Sequence, residues 1–183
     1  MRRLGILIAA IFLLAGCETF SIQKYSLSPV NTDAIKGAMS SGQVSSFAVG
    51  EFTAASPGHF EMRCGINGLV RTPQHIPFEK YIREAFIDEL KQAGAYSLDQ
   101  IEAGGVITGH LDKIEMNSDN GSWDIDLTIK FKTGAYFTVS ESYQYEGASC
   151  EQTSAALVPA VQALIHRIIT HPTFQGRTEN PAN

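Results

Sequence analysis

Residues 123–131 alternate without a break, Trp123, Ile125, Leu127, Ile129 and Phe131 interleaving with Asp124, Asp126, Thr128 and Lys130. Successive side chains of a strand point to opposite faces, so this segment reads as a strand with one dry face and one wet face. A sheet buried on both sides would show a continuous apolar run instead. The dry face needs a cover, and a second period supplies it. Over 78–93, Phe78, Tyr81, Ile82, Ala85, Phe86, Leu90 and Ala93 recur at spacings of three and four, while Glu79, Lys80, Arg83, Glu84, Asp88 and Lys91 take the other side. This predicts an amphipathic helix, with Pro77 suited to its first turn and Gly94 to its stop. Its polar side is mixed in sign, which favours packing on a core over lying on a membrane surface, where a basic side is expected.

Weaker signals fill in the rest. Residues 44–53 predict a strand with Gly50 at a bulge, and 106–116 a strand whose apolar register switches from Ile107 and Leu111 to Ile114 and Met116. Such a switch places a bulge near Asp112. Asn120-Gly121 is a hairpin turn, and Gly134 closes a second hairpin into 135–145. Residues 152–170 predict a second helix with Val158, Val161, Leu164, Ile165 and Ile168 on one side; Pro159 kinks it or marks its start, and Pro172 ends it. Residues 55–77 are a long connection holding Cys64. The expected fold is α+β, a two-layer sandwich in the order β-α-β-β-β-α, with two helices on one face of a mainly antiparallel sheet.

Ahead of this domain the chain opens with Arg2 and Arg3, an apolar run from Leu4 to Leu14, and the small residues Ala15 and Gly16 before Cys17. That is the pattern of a secretory signal, and a run of about eleven residues falls short of the roughly 20 needed to span a bilayer. Leu14, Ala15, Gly16 and Cys17 resemble the bacterial lipobox, which implies cleavage before Cys17 and lipid on its sulfur and amine. Two or three acyl chains anchor stably where one does not. In many Gram-negative bacteria an Asp after the lipidated cysteine implies inner-membrane retention; with Glu18 there, the expected address is the outer membrane, periplasmic face. The expected division is a signal over 1–16, the lipidated cysteine and a flexible Ser- and Gly-bearing tether over 17–42, one domain over 43–172 and a loose tail over 173–183. A flexible coil of about 25 residues would hold the domain roughly 25 to 30 Å from its anchor.

Cleavage before Cys17 removes 16 of the 183 residues and leaves 167, enough for one ordinary core. It also removes two arginines, taking Lys plus Arg from 14 to 12 against 19 Asp plus Glu, a net charge of 12 − 19 = −7. An acidic chain without a basic cluster argues against nucleic acid as a partner. With Cys17 lipidated, Cys64 and Cys150 are the even remainder in an oxidising compartment, and they read as a disulfide.

No catalytic residue and no metal or cofactor site is expected. Asp124 and Asp126 share a strand face about 6 to 7 Å apart, a separation that suits paired carboxylates, but nothing around them would raise one pKa, and a solvated face is the better reading. His59, His75, His110, His166 and His171 form no metal-site spacing; His59 and His75 share a connection with Cys64, the one place where a site could assemble.

The order of strand, amphipathic helix, three-strand meander and helix behind a lipobox resembles small Gram-negative envelope lipoproteins, including the YajG group and LptE. The resemblance spans 44–171 in layout, with the lipobox as its specific motif. It implies a non-catalytic lipoprotein anchored in the membrane, binding an envelope protein partner or maintaining the cell surface. The alternative is a component of lipid or lipopolysaccharide transport. The small-molecule ligand, if any, is not legible.

Overall fold

A computed structural model describes residues 18–40, 42, 46–66, 68–98, 105–147 and 149–176. The signal segment and Cys17 lie outside the described residues. In chain order the elements are β1 (Glu18–Ser21), α1 (Pro29–Ser40), β2 (Ala48–Ala54), β3 (Glu61–Cys64), β4 (Gly68–Arg71), α2 (Phe78–Ala93), β5 (Val106–Asn117), β6 (Ser122–Phe131), β7 (Tyr136–Gln144) and α3 (Cys150–Thr170).

The larger sheet has the order β2-β5-β6-β7. β5, β6 and β7 form the antiparallel meander, and β2 joins β5 in parallel through the α2 crossover. Trp123, Ile125, Leu127 and Ile129 are all fully buried, as the alternation requires. Their dry face meets α2 and α3, which contribute Ile82, Phe86, Leu90, Leu164, Ile165 and Ile168 to the same core. The expected α+β sandwich is therefore present, and both predicted bulges occur. β2 changes register between Val49 and Phe52. There Arg83, read from sequence as a solvated residue of α2, donates to the carbonyls of Gly50 at 2.5 Å and Val49 at 3.1 Å. β5 changes register between Leu111 and Lys113, leaving Asp112 as the extra residue. Gly109 is where Phe52 lies across β5; a Cβ there would come within 2.7 Å of the ring.

α3 begins at Cys150 through a reciprocal capping box between Ser149 and Gln152 and continues past Pro159 to Thr170. A mid-helix proline forfeits one backbone hydrogen bond, which the buried apolar flank of a 21-residue helix outweighs. α3 also has the length and hydropathy of a membrane span among the described residues, but 61% of that window is buried inside the fold. Trp123 Nε1 donates to the carbonyl of Thr153 at 2.9 Å, pinning β6 to the start of this helix.

Three expectations are corrected. The flexible tether over 17–42 is, from Glu18 onward, structured chain: β1 pairs with β4, α1 spans Pro29–Ser40, and Ile22 and Ile35 are 1% and 0% exposed. Glu89 explains why. This fully buried carboxylate of α2 accepts hydrogen bonds from the Tyr25 hydroxyl at 2.6 Å, the Ser28 amide at 2.7 Å and the Thr32 hydroxyl at 3.3 Å. Polar Ser and Thr in this segment are partners for a buried carboxyl group rather than marks of a coil. Second, the long connection over 55–77 contains the β3–β4 hairpin, and with β1 it forms a separate three-stranded sheet in the order β1-β4-β3. Third, the tail does not begin at 173, because Phe174 is 2% exposed and packs against Phe47, Phe86 and Phe131. Residues 177–183 lie outside the described residues.

Candidate binding face

Helices cover one side of the larger sheet, and the other side is left to solvent. The clean alternation of β6 and β7 puts Asp124, Asp126, Thr128, Lys130, Thr138, Ser140 and Ser142 on that open side, all half-buried or exposed. Asp124 and Asp126 are there, as expected. The bulge in β5 then adds a feature that the sequence did not announce. As the extra residue, Asp112 reaches across to accept a hydrogen bond from Thr128 at 2.7 Å, and Thr128 in turn shares one with Thr138 at 2.8 Å. On the neighbouring strand Thr53 shares a hydrogen bond with His110 Nδ1 at 2.8 Å. Small polar side chains from β2, β5, β6 and β7 thus lie in a row across the sheet.

Charge on this face gathers at one end. Cross-strand pairing sets Lys113 opposite Asp126 and Glu115 opposite Asp124, and Lys113 forms an ion pair with Glu115 at 3.1 Å. The hydrogen bond that Lys113 donates to Glu115 raises the Lys113 pKa, the negative charge of Glu115 adds to this, and Asp124 and Asp126 contribute more weakly. Lys113 therefore stays protonated among three carboxylates, and the patch keeps a net negative sign. The Thr53–His110 pair is short enough for proton transfer, but the nearest carboxylate, Asp112, is 3.9 Å from His110 Nε2. That exceeds hydrogen-bond range, so among the described residues no carboxylate is hydrogen-bonded to the imidazole to orient it.

The second predicted locus is the cysteine pair. Cys64 and Cys150 are joined, with Cα atoms 5.7 Å apart, linking the end of β3 to the first residue of α3. Gly68 lies against this bond; a Cβ there would sit 2.7 Å from Cys150 Sγ. His75 packs on the Phe60 ring, with centroids 5.0 Å apart. No group of three or more His, Cys, Asp or Glu suited to a metal ion occurs among the described residues. Beside His59, a cleft of about 180 Å³ runs between Phe78, Leu111 and Ile114. Glu79, expected on the solvated side of α2, is instead 6% exposed there. Its Oε1 accepts from the Gly58 amide at 3.1 Å, so it ties down the loop before β3.

These features define a class: an α+β two-layer domain, stapled to a small second sheet by a disulfide, with one polar sheet face uncovered. No family model matches the sequence, and no curated protein matches it. Among solved structures the chain is similar to protein XCC0632 from Xanthomonas campestris, a DUF330 protein. The TM-score is 0.58 at 12% identity, covering 87% of this chain and 96% of that one. The likeness is one of fold, shared over nearly the whole of that protein, and it names neither the YajG group nor LptE.

Proposed function

We propose that this chain is a lipid-anchored, non-catalytic lipoprotein on the periplasmic face of the outer membrane, and that it works by binding an envelope protein. The observation that carries the binding role is the uncovered face of the larger sheet. It is four strands wide, rich in hydroxyls already held in place by neighbours, and bordered by a patch of net negative charge. Pre-positioned polar groups lower the ordering cost of association. The anchoring role is supported by the Leu14–Cys17 pattern and by the joined Cys64 and Cys150, which suit an oxidising compartment.

Metabolic labelling with a fatty-acid analogue tests the anchor: Cys17→Ser should lose the label, and label retained on that variant overturns the lipobox reading. A photo-cross-linking residue at Thr138 tests the face. Cross-links to a periplasmic or outer-membrane protein that disappear in Thr128→Arg are expected. Cross-links to a transporter or barrel subunit would favour the lipid-transport alternative, and no cross-link from this face would remove the binding role from it.

A further inference from the structure

The turn between β3 and β4 carries a side chain that turns seldom choose. Cys64 pairs with Gly68, so Ile66 stands in the middle of a three-residue loop, and it is 89% exposed. Turn positions favour Gly, Asn, Asp and Ser, while a lone exposed apolar residue has no meaning by itself. Its location gives it one. β1 runs parallel to β4 with Glu18 beside Gly68, so β1 starts at the end of the small sheet where this turn projects. Cys17 precedes Glu18 by one Cα–Cα step of about 3.8 Å, and neighbouring strands are about 4.8 Å apart. Glu18, the residue after Cys17, therefore lies within about 12 Å of Ile66. The loop cannot swing away, because Cys64 at its base is bonded to Cys150 of α3.

We infer that the β3–β4 turn is a membrane-contacting wedge, in which Ile66 enters the interfacial layer of the bilayer that receives the acyl chains and fixes how the domain stands on it. This rests on the lipid anchor at Cys17 proposed above. With no flexible tether between anchor and domain, the surface around β1 is held against the head groups whenever Cys17 is acylated. Exposed charges at this end have both signs, with Glu18 and Glu151 against Arg63, so the contact is apolar and does not depend on anionic lipid. Tyr136, 70% exposed, provides a reference at the far end. α3 runs antiparallel to β7, with Thr153 bonded to Tyr145 and His171 stacked on Phe137, which puts Tyr136 about 30 Å from Cys150.

The test uses the native, full, membrane-purified protein in vesicles of phosphatidylcholine alone, with Cys17→Ser protein in solution as reference, and hydroxyl-radical labelling read by peptide mass. Ile66 should be labelled at least about three-fold less in the vesicles, as expected of a side chain in the interface, with Tyr136 unchanged. Equal labelling of Ile66 in both samples, with acyl mass present on Cys17, overturns the wedge and leaves the anchor standing. Absence of acyl mass on Cys17 overturns the anchor and the wedge together. Protection of Ile66 and Tyr136 alike would also overturn it, since general shielding is not insertion. A second variant, Ile66→Trp, should show roughly two-fold quenching by brominated lipid that Tyr136→Trp does not. The native Trp123 is fully buried and gives a constant background.

Discussion

Phe86 is fully buried between the rings of Phe52 and Phe174, at 6.4 and 6.2 Å, whereas Asp126 stands on the open side of β6. Phe86→Ala should cost about 3 to 5 kcal/mol through lost burial and a cavity, and Asp126→Ala under about 0.5 kcal/mol. Denaturant melts of the two variants decide this, and equal effects would mean that the faces of the sheet are misassigned. Two tyrosines set the alkaline limit of stability. Burial raises the pKa of Tyr25 and Tyr81, and the hydrogen bond to Glu89 raises Tyr25 further. Unfolded phenols release their protons near pH 10, so below that pH the contribution is fully present. Above it the unfolded chain ionises while the folded one does not, and stability falls as pH rises. Denaturation midpoints should therefore decline above about pH 10, and they should decline less steeply in Tyr25→Phe. An unchanged slope in that variant would show that Tyr25 ionises in the folded state.

Among the elements, α1 is held by chemistry rather than by hydrophobic patterning. Glu89→Ala leaves the Tyr25 and Thr32 hydroxyls and the Ser28 amide without their acceptor, each unsatisfied group costing about 1 to 3 kcal/mol. The variant should be cleaved by trypsin at Lys24 or Lys36 well before the wild type, and unchanged cleavage would mean that the segment is held elsewhere. Here the limits of the sequence have a physical cause. β6 and α2 were legible because each has one wet and one dry side, which imprints a period. α1 buries Asn31 and Thr32 beside Ile35 and Ala38, so polar residues occupy its inner side and no period survives. Glu89 itself was the available signal, an acid three residues after Phe86 and therefore on the apolar stripe of α2. The polar row on the open sheet face was half legible: the bulge at Asp112 could be read, but not that it would aim Asp112 at Thr128. At the start of α3, Ser149→Ala removes the capping box and should cost about 1 kcal/mol, measured by the same melts.

At the scale of the molecule, the joined cysteines close an 86-residue interval. Reducing them, or replacing both with serine, should lower stability by roughly 4 to 5 kcal/mol in the loop-entropy view; a loss under about 1 kcal/mol would show that the unfolded chain is already constrained there. The pairing of β1 has a mechanical consequence as well. A pull on the chain ahead of Glu18 runs back along β1 and loads its bonds to β4 in shear, all together, rather than peeling them one by one. From β4 the load passes to β3 across the hairpin, and through Cys64 and Cys150 to the first residue of α3. Under the anchoring proposed above, tension at Cys17 would reach the 21-residue α3 through a covalent link.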